Sequence, residues 1–338
     1  MRRTNMRFWA VALSLGVMLL ACGPASPARP RGATPLGSPS PILIPMPTTA
    51  LLSAPSSDVV WALIAGSVLY RSTDRGDSWE QRPLPAQNIS PRAGISFVDD
   101  QQGWLSSGGS PETQCNGEGT AIWHTTEGGS TWQQVALVNG LQPDSTGIGY
   151  AQCKEGLSFI DATHGFLAAW DDNHPPTIYR TSDGGHSWTG STLPDPPGFV
   201  SQPGGFELTA GLVESFGVPL LVSAWGMQEG AQAEFAFRST NGGATWTYLA
   251  KADLGSNNVT FVTASRWLQL IEPDQSVETT DSGKSWHPYS SDDAQAAPIA
   301  PEIVFGGPLV GYATVRGQIQ RTTDGGLHWS YITTPGTK

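Results

Sequence analysis

The sequence predicts an all-β protein, a six-bladed β-propeller of four-stranded antiparallel blades, and three observations support this prediction. An eight-residue phrase ending in tryptophan occurs six times in the 338 residues. Its acidic positions lie 40 to 58 residues apart, the length of one four-stranded propeller blade. The body of the chain shows no 3.6-residue apolar stripe that would indicate helices. A seventh, degenerate blade between residues 193 and 240 is the alternative, because the spacing is longest there.

Residues 1–21 have the pattern of a signal peptide. Arg2, Arg3 and Arg7 precede an apolar run from Phe8 to Leu20 that is too short to span a membrane as a mature helix. The run Leu-Leu-Ala-Cys that ends at Cys22 resembles the lipobox of bacterial lipoproteins, which implies acylation of Cys22. We therefore expect an exported protein, lipid-anchored to the bacterial cell membrane and facing the extracytoplasmic side. A plain signal peptide with a chance cysteine is the alternative.

Residues 22–48 form a segment rich in Pro, Ala, Ser and Gly, a composition typical of an extended tether that cannot bury a core. We predict a disordered tether here and the propeller over residues 49–338. Ile42 to Ile44 is the apolar run of the tether, and one hypothesis is that it docks as a strand on the last blade and protects an open sheet edge.

The charge of the chain excludes one class of partner. Loss of the three signal arginines takes the formal net charge from −11 to −14. No basic patch is present, so nucleic-acid binding is not expected. The membrane is contacted through the lipid anchor alone, and we expect a monomer without cofactor or metal.

The repeated phrase reads STDRGDSW in its first copy (72–79) and TSDGGHSW in its third (181–188). Upstream of each copy a short apolar strand, a turn and a strand led by an aromatic residue precede the strand that delivers the phrase. A last short strand follows the tryptophan. Each repeat therefore supplies the four strands of one blade.

The phrase resembles the Asp box, S/T-x-D-x-G-x-S/T-W, of BNR-repeat propellers, a sialidase-like superfamily that includes sortilin-type receptors and photosystem II assembly factors. The resemblance implies a structural turn between the third and fourth strands, on the face opposite the ligand site. Its carboxylate accepts hydrogen bonds from the turn's own backbone. The structural acids and tryptophans are then Asp74, Trp79, Glu127, Trp132, Asp183, Trp188, Asn241, Trp246, Asp281, Trp286, Asp324 and Trp329.

Two further cysteines, Cys115 and Cys153, lie in long segments expected on the upper face, the face opposite the phrase. An exported chain is found where disulfides persist, and two remaining thiols most simply pair. We predict a Cys115–Cys153 disulfide.

The loops of the upper face are the predicted ligand surface. They combine aromatic residues with acids and one histidine, namely Trp170, Asp171, Asp172, His174, Trp225 and Glu229. Such a surface suits a sugar or a polypeptide segment. In the alternative interpretation the tryptophans end core strands and the acids are solvated.

The function predicted from these features is a non-enzymatic binding or assembly scaffold for an envelope or extracellular protein, or a glycan. The alternative is a carbohydrate-binding or glycoside-hydrolysing, sialidase-like propeller. Sialidases clamp a sugar carboxylate with three arginines from different loops. Here Arg71, Arg180, Arg238 and Arg321 recur at one repeat position, which favours contacts between blades, so no catalytic residue is assigned.

Overall fold

The computed structural model describes residues 50–86, 89, 93–108, 118–143, 145–171, 174–198, 208–228, 231–252, 259–270, 276–292, 302–315 and 318–335. The chain divides into two compact units, Met1–Pro45 and Met46–Lys338, and every described residue belongs to the second. The predicted signal peptide, Cys22 and Ile42 to Ile44 lie outside the described residues.

The described residues form six antiparallel sheets of four consecutive strands each, so the predicted six-bladed propeller is confirmed. The strands of blades 1 to 3 are β1 (Ala50–Ser53), β2 (Val60–Ile64), β3 (Val68–Ser72), β4 (Glu80–Arg82), β5 (Gly94–Phe97), β6 (Gly103–Ser107), β7 (Thr120–Thr125), β8 (Gln133–Val138), β9 (Cys153–Phe159), β10 (Gly165–Asp171), β11 (His174–Thr181) and β12 (Thr189–Thr192). Those of blades 4 to 6 are β13 (Leu208–Ser215), β14 (Leu220–Gln228), β15 (Ala231–Ser239), β16 (Thr247–Lys251), β17 (Val259–Phe261), β18 (Trp267–Gln269), β19 (Val277–Thr279), β20 (His287–Pro288), β21 (Ile303–Phe305), β22 (Gly311–Val315), β23 (Gln318–Thr322) and β24 (Ser330–Tyr331).

The seven-bladed alternative is wrong, because the long interval after residue 193 contains one ordinary blade. Its first two strands, β13 and β14, are 8 and 9 residues long and pair with each other directly. The extra length of the repeat is thus used partly in longer strands. No strand of a further blade occurs in this part of the described chain.

Six apolar clusters fill the six interfaces between neighbouring blades. In the first interface the ring of Phe97, at the end of β5, stacks on Trp61 of β2 with centroids 3.6 Å apart. In the second, Phe159 of β9 stacks on Trp104 of β6 at 3.7 Å. In these two interfaces the aromatic residue of the second strand therefore packs against the inner strand of the next blade, and this stacking stabilises the ring.

The glycine before that aromatic residue makes room for the phenylalanine ring. A Cβ at Gly103 would lie 2.0 Å from Cδ1 of Phe97, and one at Gly165 would lie 2.5 Å from Cδ1 of Phe159. The glycines of the triplets QGW and HGF are therefore required for close packing at the blade interface.

The ring closes between blades 6 and 1 through side chains. The Trp79 indole N–H donates to the Thr333 carbonyl at 2.8 Å, and the Leu52 backbone N–H donates to Oε2 of Glu302 at 3.0 Å. Arg321 Nη1 donates to the Arg75 carbonyl at 2.8 Å. Blade 6 takes all four of its strands from β21–β24, so the described residues show no strand shared between the two blades.

The six copies of the phrase form the connections between the third and fourth strands, and we call these connections the repeated turns. Their backbone N–H groups bond to the turns between the first and second strands of the same blade, as in Gly128 to Gln101, Gly184 to Thr163 and Gly325 to Leu309. Both sets of turns thus share one end of the ring, called here the turn face. The connections between blades leave from the other end, the loop face.

Candidate functional site

The repeated turns have a local, self-satisfied hydrogen-bond structure. In the third blade the Thr181 hydroxyl donates to Asp183 at 2.7 Å and accepts the Gly185 N–H at 3.0 Å. Asp183 also accepts the Ser187 N–H at 2.9 Å. Glu127 and Asn241 replace the aspartate in two copies and still bond to Thr131 and Thr245 at the same offset.

These hydrogen bonds keep the turn carboxylates ionised. The Ser78 hydroxyl and N–H lower the pKa of Asp74 to about 2, and those of Ser285 do the same for Asp281. A carboxylate whose oxygens are occupied by its own turn offers little to a ligand, so the arrangement suits a scaffold.

The residues predicted as a ligand surface are only partly brought together. Trp170 and Trp225 lie at the loop-face ends of β10 and β14, in adjacent blades. Trp225 is 37% exposed, whereas Trp170 is half-buried. Asp171 accepts a hydrogen bond from Gln152, which also binds the Tyr179 hydroxyl, so its carboxylate belongs to a structural network. Asp172, Glu229 and the side chain of His174 lie outside the described residues.

A cavity of about 210 Å³ opens inside the ring beside Trp225. It is lined mainly by β13, with residues of β9, β14, β15, β17 and β21. Three glutamates from two blades line it, Glu155 of β9, Glu214 of β13 and Glu234 of β15. This is the loop-face half of the central channel.

A second cavity, of about 490 Å³, forms the turn-face half of the channel. The carboxyl ends of all six inner strands line it, from Leu52 in blade 1 to Pro308 in blade 6. Glu214 lines both cavities and therefore lies at the waist of the channel. The larger of the two cavities thus lies on the turn face, whereas the resemblance to Asp-box propellers implied a ligand site on the opposite face. The cavity is at the centre of that face, and the repeated turns are at its periphery.

The channel is acidic and has no compensating cation among its described lining residues, since none is Lys, Arg or His. Burial raises the pKa of Glu214 to about 8. Burial also raises the pKa of Glu302, which precedes β21, to about 8, although the hydrogen bond from the Leu52 N–H acts to lower it. Glu234 accepts the Val259 N–H at 3.0 Å, which occupies one of its oxygens.

Sequence reasoning missed these glutamates because they lie inside strands and belong to no motif. One signal was present. The inner strands read LSF in blade 3 and VESF in blade 4, so Glu214 is an acid in an otherwise apolar pattern. Such an acid in a strand that borders a channel is a candidate functional residue.

The disulfide remains a prediction, because Cys115 lies outside the described residues. Cys153 is buried at the start of β9. Its neighbour Lys154 donates from Nζ to the carbonyls of Gln152 at 2.7 Å and Glu118 at 3.2 Å. Glu118, three residues after Cys115, is therefore held beside β9, the strand that begins with Cys153.

The described part of the chain contains neither a cluster of metal-ligating side chains nor a long apolar helix. No group of three or more His, Cys, Asp or Glu side chains is arranged to hold a metal ion there. No helix in that part is long and apolar enough to cross a membrane.

Comparison with known proteins places the fold. The sequence matches no protein-family model and no curated protein. Among solved structures, the chain is similar to an α-L-arabinanase of Penicillium chrysogenum complexed with arabinobiose, at 10% identity over 88% of this chain and 96% of that one, with a TM-score of 0.54. An oligogalacturonate lyase in complex with manganese aligns at 10% identity over 81% of this chain and 76% of that one, with a TM-score of 0.50. YCF48 bound to D1 peptide aligns at 19% identity over 86% and 96%, with a TM-score of 0.44.

The chain is a β-propeller. At these identities the likeness concerns the fold alone, because one propeller architecture supports enzymes and binding proteins alike.

Proposed function

We propose that this chain is an exported, lipid-anchored propeller of the Asp-box type that binds a macromolecular partner on its loop face without catalysing a reaction. The observation that carries the proposal is the mouth of the channel on that face, where the exposed Trp225 and the exposed acid Glu155 line one cavity. The repeated turns, with their own oxygens satisfied, support assignment to the Asp-box propellers.

The chemistry of this mouth favours a basic polypeptide segment as the partner. An indole face attracts Lys and Arg side chains. A cleft lined by one sign of charge concentrates ligands of the opposite sign and accelerates their association. The formal net charge of −11 has the same sign as the mouth. We therefore infer a basic segment of an envelope or extracellular protein.

The N-terminal segment supports a surface location for this binding. Acylation at Cys22 would fix the chain to the membrane, and about 26 tether residues reach up to roughly 80 Å when extended. The propeller would then engage partners at a distance from the bilayer. Mass spectrometry of the mature N-terminus tests acylation, and an unmodified Cys22 would contradict the anchor.

The binding proposal is tested with the mature chain carrying Cys22→Ser, which prevents acylation. We expect it to bind immobilised synthetic peptides rich in Lys and Arg, with an affinity that falls as salt is raised. The double variant Trp225→Ala, Glu155→Gln should weaken binding roughly tenfold or more, a loss of about 1.4 kcal/mol. Tyr331→Ala, on the outer strand β24, is the matched control and should bind as the parent does. Retention on a glycan array with no peptide binding would contradict the proposal.

A second candidate function, glycoside hydrolysis, is favoured by one observation. Glu155 and Glu214 come from neighbouring blades and line the same cavity. Glycosidases use two carboxyl groups, of which the acid has a raised pKa, as Glu214 has. Release of reducing sugar from a polysaccharide panel tests this. Activity lost in both Glu155→Gln and Glu214→Gln would replace the binding proposal.

A further inference from the structure

The inner strands of the first three blades are linked by a repeated hydroxyl contact. The Ser53 hydroxyl of blade 1 accepts the Phe97 N–H of blade 2 at 3.0 Å. The Ser96 hydroxyl of blade 2 accepts the Phe159 N–H of blade 3 at 2.7 Å. Each serine thereby satisfies a backbone donor at the channel-side edge of the next blade.

The contact is broken between blades 3 and 4. Ser158 occupies the position equivalent to Ser96, since both precede the phenylalanine of their strand. In blade 4 the residue equivalent to Phe159 is Ser215, since Ser215 pairs with Leu220 as Phe159 pairs with Gly165. Its N–H makes no bond to the Ser158 hydroxyl. The Ser158 hydroxyl is left without a hydrogen-bond partner among the described residues, although Ser158 is only 9% exposed. It lines the 490 Å³ cavity.

Glu214 lies at the same junction and is also without a partner among the described residues. The other acids near the channel differ from it. Glu234 accepts the Val259 N–H, Glu302 accepts the Leu52 N–H, and Glu155 is exposed at the loop-face end. Two unpaired polar groups, a carboxyl and a hydroxyl, thus line one cavity whose described walls carry no positive side chain.

Buried polar groups in folded proteins almost always have partners, and exceptions call for an explanation. Water can satisfy a hydroxyl, whereas the half-buried Glu214, in a cavity without positive side chains, is best satisfied as a carboxylate by a cation. The cavity volume lies within the range of about 300–1,000 Å³ typical of small-molecule sites. Much of its lining is hydrocarbon, including Leu157, Leu212 and Phe216.

We propose that the turn-face half of the channel is a binding site for a small organic ammonium ion, held by the Glu214 carboxylate and the Ser158 hydroxyl. The ammonium group donates to both oxygens, and its alkyl part packs on the apolar strand ends. This site is separate from the loop-face mouth of the proposed function, and either assignment can fail without the other.

Binding at this site is linked to pH. The free carboxyl of Glu214 has a pKa of about 8 and is mostly protonated at neutral pH. An ammonium ion binds the ionised form, so it must displace a proton. Affinity should therefore rise by nearly tenfold per pH unit between about pH 6 and 8 and then level off. Glu214 is the one titratable or charged side chain among the described lining residues of this cavity, and Glu155 and Glu234 line the loop-face cavity that Glu214 also borders.

The test is calorimetric titration of the mature Cys22→Ser chain with pentan-1-amine and pentane-1,5-diamine between pH 6 and 9, with pentan-1-ol as the uncharged analogue. We expect the amines to bind at pH 8 and the alcohol to bind at least tenfold more weakly. Glu214→Gln should reduce amine affinity tenfold or more and remove the pH dependence. Ser158→Ala should reduce it severalfold.

Glu155→Gln is the matched control, because it removes an acid from the loop-face mouth and leaves this cavity unchanged. It should alter amine affinity by less than about threefold. Unfolding curves confirm that each variant is folded, and the ¹³C shift of the Glu214 carboxyl should move on addition of amine. Absence of amine binding at millimolar concentration, equal binding of the alcohol, or unchanged affinity in Glu214→Gln would each overturn the proposal.

Discussion

At the scale of single residues, the hydroxyl of Thr181 tests how the repeated turn is stabilised. It donates to Asp183 and accepts the Gly185 N–H, and both Thr181 and Gly185 are buried. Thr181→Val keeps the shape but leaves that N–H unpaired, so we expect a loss of about 1–3 kcal/mol in the free energy of unfolding in urea. His186→Ala, at the variable exposed position of the same turn, should change it by less than about 0.5 kcal/mol. Equal effects of the two changes would contradict this account.

The repeated turns were predictable from the sequence, whereas the environment of Glu214 was not. The turn chemistry is local, because the hydroxyl, the acid and the glycine lie within five positions of one another. Such a local pattern is still recognisable where Glu127 or Asn241 replaces the aspartate, so all six copies can be identified from the sequence. Glu214 belongs to no local sequence motif of this kind. Its environment is created by strands that are distant in sequence, so its role emerges only when the ring is assembled.

At the scale of elements, Gly103 tests the interface between blades 1 and 2. A Cβ there would lie 2.0 Å from the Phe97 ring, which is stacked on Trp61 with no room to move away. We expect Gly103→Ala to lower the free energy of unfolding by about 1–3 kcal/mol through this overpacking. Gly211→Ala, in the inner strand β13, is the control, because its nearest neighbour would be 3.6 Å away. A larger effect at Gly211 than at Gly103 would show that strand flexibility, and not packing, is the cause.

The strands and their order were predictable because each blade repeats one pattern of turns and aromatic residues. The fourth blade was ambiguous for a physical reason. Its strands β13 and β14 extend beyond the usual length, and β13 has an irregularity between Ala210 and Val213. Such a bulge interrupts the alternation on which strand prediction depends. The same irregular strand carries Glu214 into the channel, so the weakest part of the prediction and the candidate site coincide.

At the scale of the whole molecule, stability should fall at low pH because of the repeated turns. Hydrogen bonds from Ser78 and Ser285 hold the pKa of Asp74 and Asp281 at about 2, below the ordinary value of 3.8. A lowered folded pKa contributes stability that is present above pH 3.8 and lost as the pH falls towards 2. We expect the midpoint of thermal unfolding to drop steeply below about pH 4 and to do so less steeply in Asp281→Asn. Parallel curves for the two proteins would contradict the assignment.

Above about pH 5 the change of stability with pH is expected to come from Glu214 and Glu302. Burial raises the pKa of Glu214 and Glu302 from 4.5 to about 8. A raised folded pKa contributes stability that is complete below pH 4.5 and is lost as the pH rises through 8, because the unfolded chain releases these protons earlier. Stability should therefore be greatest near pH 4–5 and decline towards pH 8, by up to several kcal/mol for the two groups together.

The variants Glu214→Gln and Glu302→Gln separate the two contributions to that decline. Each amide is neutral at every pH, and at position 302 its oxygen can still accept the Leu52 N–H. We expect each change to flatten the decline between pH 5 and 8 by roughly half, and the double variant to remove most of it. Glu155→Gln, exposed at the loop face, should leave the profile as it is. Because an ammonium ligand would stabilise the ionised form of Glu214 alone, adding pentan-1-amine should flatten the profile of Glu302→Gln and leave that of Glu214→Gln unchanged. A response of both variants to the amine would place the bound cation away from Glu214.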